Sequence, residues 1–228
     1  MLLDDRGPLA QLRAGRLPRR LVQLLVGLVL LGASQGMMVR SRLGNAPWDV
    51  FHQGLSLRSG ASIGVVTIAV GVLVLAAWIP LRTWPGLGTV LNAVLIGLSL
   101  GWSLAVLPTW NHPEVRIALM IAGVVLNGLV AGMYIGAQLG PGPRDGLMTG
   151  LHARTGASIR LVRTGIEVTV VLVGWALGGT IGLGTVVYAL AIGPLTQFFL
   201  ERCIIRLPRP GVKAPGSTVT KQEKPLDG

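Results

Sequence analysis

Among 228 residues there is one cysteine, Cys203, three histidines and nine acidic side chains. A single cysteine excludes an intramolecular disulfide and any cysteine-based zinc cluster, and Cys203 is expected to be inert. His52, His112 and His152 stand apart, with no His-Glu-x-x-His and no second ligand at helical spacing, so no metal site is expected. A glycine-rich Gly-Leu-Gly-Thr-Val stretch occurs twice, yet no Lys-Ser/Thr follows it, and no phosphate-binding loop or cofactor is expected. Charged residues are 13% of the chain, where a soluble domain carries about a quarter. The composition argues against a soluble domain.

What fills the chain is apolar: the hydrophobic fraction is 51% and the mean hydropathy is +0.64. Residues 20–39, 61–80, 86–107, 117–138, 158–178 and 182–200 each approach the roughly 20 apolar residues that a membrane crossing needs. The expected class is an all-α membrane protein with six transmembrane helices, whose first partner is the lipid bilayer. The net charge of +11 could suggest nucleic acid, but it is spread over the tails and short loops, as in the cytoplasmic bias of membrane proteins. No nucleic-acid partner is expected. Arg16, Arg19 and Arg20 before the apolar run at Leu21 look like the start of a signal peptide, with Gly32-Ala33-Ser34 as a cleavage region. The same segment has a matching copy later in the chain, so it is read as a retained first helix.

That copy belongs to an internal repeat. At a fixed offset of 96 residues, Leu43 to Gly97 matches Leu139 to Gly193 at 23 of 55 positions. The shared elements include Gly44, Pro47 and Asp49 with Gly140, Pro143 and Asp145; Gly54 to Ile63 with Gly150 to Ile159; and Gly86 to Val90 with Gly182 to Val186. The chain divides into a basic cytoplasmic tail (1–19), a first three-span repeat (20–107), a second (116–200) and a disordered cytoplasmic tail (207–228). Three crossings per copy is odd, which predicts inverted topology. Between the first and second span of each copy lies a shorter polar piece, 45–60 and 141–156. Its early Pro and Asp favour a short re-entrant or interfacial half-helix. The basic tails place both termini in the cytoplasm; Arg40, Arg42 and Arg58 would then face outward, against the rule, unless they are tucked into the half-helix hairpin.

The candidate site residues are Asp49, Asp145, Arg58, Arg154, Arg163 and Glu167. Asp49 and Asp145 recur in both copies near membrane depth, where a carboxylate is costly unless paired, protonated or useful. As first-turn acids they equally suit helix starts, paired with Arg58 and Arg154, which recur nine residues on. Arg163 and Glu167 are spaced to pair within the fifth span, and their counterparts Thr67 and Gly71 are uncharged. The bland alternative is a self-neutralised pair, with Arg160 and Arg163 reaching to the interface. Gly32-x-x-x-Gly36 and Gly128-x-x-x-Gly132 suit close helix packing within the chain. The glycines of Gly-Leu-Gly-Thr-Val are read as serving unusual backbone angles in a turn. Asn92, Asn127, Tyr188 and Gln197 are read as links between helices. Ser62 and Ser158 begin spans with no histidine base in any later span, so they are read as helix caps and no enzymatic activity is expected.

The Leu-Gly-x-x-Pro-x-Asp segment at Leu43 to Asp49, the Gly-Leu and Gly-Ala-Ser-Ile elements and the Gly-Leu-Gly-Thr stretch together resemble the YczE/YyaS/YitT group of bacterial integral membrane proteins. The resemblance covers most of residues 20–200. Pro47-Trp48-Asp49 is the typical form, and Pro143-Arg144-Asp145 departs from it at Arg144. It implies a multi-pass protein of the bacterial plasma membrane and fixes class rather than activity. Two functions fit. A small-solute transporter or exporter would use Asp49, Asp145 and Glu167 for a small-molecule or cation substrate between paired half-helices. A membrane accessory protein would bind a partner or lipid through its tails and glycine-rich faces, and would tolerate neutralised acids.

Overall fold

A computed structural model describes residues 7–207, which form ten helices and no strand. The helices are α1 (Pro8–Arg13), α2 (Leu17–Ser41), α3 (Pro47–Ser59), α4 (Ile63–Ala76), α5 (Trp78–Leu81), α6 (Leu87–Val106), α7 (Pro113–Gly136), α8 (Pro143–Thr155), α9 (Ile159–Ala176) and α10 (Leu183–Cys203). The tail expected at 207–228 lies, but for Leu207, outside the described residues. The segment expected as a tail at 1–19 contains α1 and the start of α2.

Local chemistry sets these boundaries. Pro47 and Pro143 stand in the first turns of α3 and α8, where a missing N–H costs no helix bond. Gly60 and Gly156 end them in the left-handed region, with φ of 72° and 70°. Ser62 and Ser158 then cap the next helices by accepting the Val65 and Leu161 N–H groups at 3.4 and 3.2 Å, as expected. The span expected at 61–80 breaks at Ala77 into α4 and α5, because Pro80 cannot bond to the carbonyl of Ala76 and crowds it.

Among the described residues five helices are long and apolar enough to cross a membrane: α2, α4 continued into α5, α6, α7 and α10. The segment expected as a further span forms α9, which carries Arg160, Arg163 and Glu167 in its 18 residues. Apolar side chains such as Val29, Leu73, Leu98, Ile121, Leu172 and Leu190 lie exposed, as lipid-facing residues do.

Packing follows the 96-residue offset. α2 and α7 run antiparallel, with Gly27 against Met133 and Tyr134, and Gly123 against Met37 and Met38. The Gly-x-x-x-Gly pairs serve packing within the chain: Gly32 and Gly36 meet Ser99, Leu100 and Ser103 on α6, while Gly128 and Gly132 meet Leu195, Phe199 and Leu200 on α10. Each half-helix rests on the helix after the other one. α3 packs on α9, where Gly174 lies against Val50 and Phe51; α8 packs beneath α5, where Trp78 covers Gly146 and donates its Nε1–H to the Pro143 carbonyl at 3.0 Å.

Two reciprocal sets of bonds hold the ends together. Buried Arg20 donates to the carbonyls of Ala137 and Gln138 at the end of α7 (2.8 and 2.5 Å) and of Gln11 (2.5 Å). Arg116, its counterpart, donates to the carbonyls of Ser41 and Arg42 at the end of α2, at 2.8 and 3.1 Å. The Gly184 N–H donates to the Leu43 carbonyl and the Gly88 N–H to the Leu139 carbonyl, both at 2.7 Å.

This corrects one expectation. Gly86 and Gly182 have φ of −81° and −177°, so neither is there for a left-handed angle. They are needed for close approach: a Cβ on Gly86 would lie 2.6 Å from the Leu139 oxygen, and one on Gly182 2.4 Å from the Leu43 oxygen. The left-handed angles fall instead on their neighbours across the junction, Gly44 at 117° and Gly140 at 116°.

Arg20→Ala strands carbonyls at a buried helix end, so we expect a loss of about 2–4 kcal/mol and a clearly lower melting temperature in detergent. Arg116→Ala, at a more exposed end, should cost less. Equal melting temperatures for Arg20→Ala and wild type would contradict the clamp.

Candidate functional site

The first turns of α3 and α8 meet, and a cavity of about 380 Å³ lies against them. Its wall includes Pro47 and Trp48 of α3, Pro143 to Asp145 of α8, Arg163 and Glu167 of α9, Gln35 of α2, and Tyr188 and Gly193 of α10. At its floor two residues that occupy the same place in the two copies touch: the Arg144 guanidinium lies over the Trp48 ring, 4.8 Å from its centroid. A cation over an indole face is worth about 0.5–2 kcal/mol depending on desolvation.

Behind this pair lies a second space of about 20 Å³, lined by Trp48, Arg144, His52, Thr67, Gly71, Asn92 and Ile96, among others. Adding 96 to His52, Thr67, Gly71, Asn92 and Ile96 gives Met148, Arg163, Glu167, Tyr188 and Ile192, all of which line the large cavity. The two spaces are counterparts of unequal size.

Helix packing accounts for the inequality. α4 lies along α6, with Gly64 against Gly97 and Gly71 against Ala93, so near that a Cβ on Gly97 would sit 2.5 Å from the Gly64 oxygen. Among the described residues α9 has no comparable packing on α10, and a Cβ on Gly193 would meet nothing within 4 Å. The positions matching Gly64 and Gly71 are Arg160 and Glu167, whose bulk and charge keep α9 from closing onto α10 in the same way.

The six expected site residues separate into three environments. Asp145, Arg163 and Glu167 come together in the cavity wall. Arg163 pairs with Glu167 at 2.9 Å, as their spacing predicted. Asp145 Oδ2 accepts the N–H of Gly142 at 3.2 Å and the hydroxyl of Tyr134 at 3.3 Å. Asp49 is buried, 1% exposed, with His52 Nδ1 at 3.4 Å and no hydrogen bond to either carboxylate oxygen. Thr67 Oγ1 lies 3.2 Å from the same His52 nitrogen. The expected pairing of these acids with Arg58 and Arg154 does not form. Those arginines lie at the far ends of their helices, about two and a half turns from the acids; Arg58 is exposed, and Arg154 donates to the Pro80 carbonyl at 2.8 Å.

Of the four polar residues expected as links, Asn127 and Tyr188 form them, whereas Asn92 and Gln197 line the cavity. Asn127 Nδ2 donates to Ser34 Oγ at 3.0 Å, and the Tyr188 hydroxyl donates to Asn127 Oδ1 at 3.4 Å. Arg40, an exception to the charge rule, donates to the Leu104 carbonyl at the end of α6, so it serves the fold. Sequence reasoning missed the roles of Arg20, Arg116, Tyr134 and Gln35. For the arginines a signal was present, since they stand 96 residues apart.

An apolar helical bundle around a polar, charged cavity is the build of a membrane protein rather than of a soluble domain. The chain belongs to the family of unknown function DUF6198, which matches over residues 18–201. It is similar to an uncharacterized protein of Haemophilus influenzae (40% identical over 185 residues, 81% of this chain and 84% of that protein). It is also similar to the uncharacterized membrane protein YczE of Bacillus subtilis (36% over 180 residues, 78% and 84%) and, more distantly, to YyaS of the same organism (24% over 179 residues, 77% and 89%). The expected resemblance to YczE and YyaS is thereby met. No solved structure matches the chain.

The unequal packing makes a prediction. Gly97→Ala forces backbone apart and should cost about 1–3 kcal/mol. Gly193→Ala, in open space, should be neutral or stabilising by up to about 1 kcal/mol. Equal melting temperatures for the two variants in detergent would contradict the asymmetry.

Proposed function

We propose that the protein is a small-solute transporter of the bacterial plasma membrane that works by alternating access. On this reading α9 is a sixth crossing, tolerated because Arg163 and Glu167 pair and line the cavity. The two three-span copies are then inverted, and both termini lie in the cytoplasm. The antiparallel contact of α2 with α7, and the reciprocal bonds of Arg20 and Arg116, support inversion.

The observation that carries the reading is the pair of unequal chambers on either side of Trp48 and Arg144. In an inverted pair the two chambers open to opposite faces of the membrane. Closing α9 onto α10 while α4 leaves α6 would exchange their sizes and carry a solute past the Trp48–Arg144 floor. Arg163 and Glu167 lie toward the start of α9, so with a cytoplasmic N-terminus the larger chamber is the cytoplasmic one. Asp145 and Glu167 supply its carboxylates. Asp49 is sealed with His52 and becomes accessible when the smaller chamber opens. Arg58 and Arg154 lie outside the cavity wall and do not touch the solute. Pro194 inside α10 removes one helix bond on the wall that must bend.

Arg160 and Gly193 occupy the places of Gly64 and Gly97, which touch. In a Cys203→Ser background, an Arg160→Cys/Gly193→Cys pair is expected to form an intramolecular crosslink that accumulates under a mild oxidant, as α9 visits α10. A pair that stays unlinked throughout would contradict alternating access and favour the accessory role.

A further inference from the structure

We infer that Asp49 and His52 form a proton-binding site: sealed in this structure, the pair holds one proton, and it exchanges that proton through the smaller chamber. The proton follows from the pair itself; its exchange through the chamber rests on the alternating-access reading.

The case begins with a carboxylate that nothing satisfies. Asp49 is 1% exposed and neither of its oxygens accepts a hydrogen bond. Among the described residues its ion-pair partner is His52, also 1% exposed, with Nδ1 3.4 Å from Oδ1. A carboxylate buried without hydrogen bonds or a countercharge is costly. Two arrangements leave the pair without net charge: a carboxylic acid beside a neutral imidazole, and a carboxylate beside an imidazolium. Both hold one proton more than a carboxylate beside a neutral imidazole, and that proton belongs to the pair rather than to either residue.

No other countercharge touches the carboxylate. α3 packs on α4 and α9. The polar side chain of α4 is Thr67; on α9, Arg163 and Glu167 pair with each other in the wall of the large cavity, and Arg160 is exposed. Arg144 of α8 acts on His52 through space and Tyr188 of α10 on Asp49, and neither bonds to the carboxylate. The second copy lacks the pair. Met148 stands in the place of His52, and Asp145 accepts two hydrogen bonds in the wall of the open cavity.

Hydrogen bonding also gives the route. The Thr67 hydroxyl donates to the Ile63 carbonyl at 2.8 Å, so its oxygen accepts from His52 Nδ1, which therefore carries a hydrogen. Nε2 is left as the nitrogen that takes up a proton. The His52 ring lines the smaller chamber and Asp49 does not. A proton arriving on Nε2 from water in the opened chamber lets the Nδ1 proton pass to Asp49 Oδ1. An Nε2–H and an O–H bond form, the Nδ1–H bond breaks, and ring and acid are both neutral when the chamber seals.

The test is the melting temperature of purified full-length protein in detergent across neutral pH. Above about pH 6.5 the unfolded chain holds no proton on these two groups and the folded pair holds one, so stability falls as pH rises; between about pH 4 and 6.5 both states hold one and the pair adds no slope. In Asp49→Asn the fall above about pH 6.5 should disappear. In His52→Gln the buried Asp49 must keep the proton alone, so the fall should begin near about pH 4. Either variant is informative if the other does not fold. A wild type no more sensitive to alkaline pH than Asp49→Asn, or a fall in His52→Gln that begins where it does in wild type, would overturn the site.

Exchange through the chamber has its own readout. Val70 lines the smaller chamber and is 8% exposed. In a Cys203→Ser background, maleimide labelling of Val70→Cys, taken as a ratio to the same cysteine with Asp49→Asn, should rise several-fold with pH; a constant ratio would overturn the exchange. The pH signature in melting with an unlinked Arg160→Cys/Gly193→Cys pair leaves the proton site standing and removes alternating access. A crosslink without the signature does the reverse.

Discussion

The last carbonyls of a helix have no partner within it, and here two arginines meet that need across the molecule. Arg20 at the start of α2 holds the last carbonyls of α7, and Arg116 at the start of α7 holds the last carbonyls of α2. Each helix thereby caps the other, which fixes them antiparallel and in register. Everything else hangs on this central pair. α6 packs on α2 and α10 on α7 through matching small residues, and the junctions at Leu43 and Leu139 tie the start of each outer helix to the opposite half. The half-helices are then delivered with their first turns facing one another.

Within that frame the two halves differ where their sequences do. Gly64 and Gly71 let α4 settle onto α6, and the space beside Trp48 shrinks to about 20 Å³. Arg160 and Glu167 stand in the same places on α9, and the space beside Arg144 stays at about 380 Å³. The acids follow suit. Asp49 is buried against His52, whereas Asp145 faces the open cavity with Tyr134 as its partner. A repeat alone would make two equal chambers. Glycine on one side and charge on the other bias the frame toward one of them.

Much of this was legible in the chain. The 96-residue offset, with Pro47 and Pro143, Gly60 and Gly156, and Ser62 and Ser158 at matched positions, predicted the short helices α3 and α8 to within two residues of their starts. The Arg163–Glu167 pair followed from helical spacing. What could not be read was contact between residues distant in sequence. That Asp145 would turn to Tyr134 rather than Arg154 depends on how α7 passes α8. That Gly86 and Gly182 serve close approach depends on where the Leu139 and Leu43 carbonyls end. Trp48 and Arg144 stand out in sequence as a mismatch between copies; only the fold shows that the mismatch is a stacked pair at the meeting point of the halves. The charges of α9 likewise interrupt its apolar run, and two of them, Arg163 and Glu167, line the cavity.

The central claim is that the two halves are inverted across the membrane, so that their chambers open to opposite sides. Ser59 and Thr155 are exposed, 96 residues apart, at the far ends of the two half-helices. Single cysteines at these positions, in a Cys203→Ser background, can be labelled in sealed vesicles of known orientation with a membrane-impermeant maleimide. The account predicts that Ser59→Cys labels from one side and Thr155→Cys from the other. Labelling of both from the same side would contradict it.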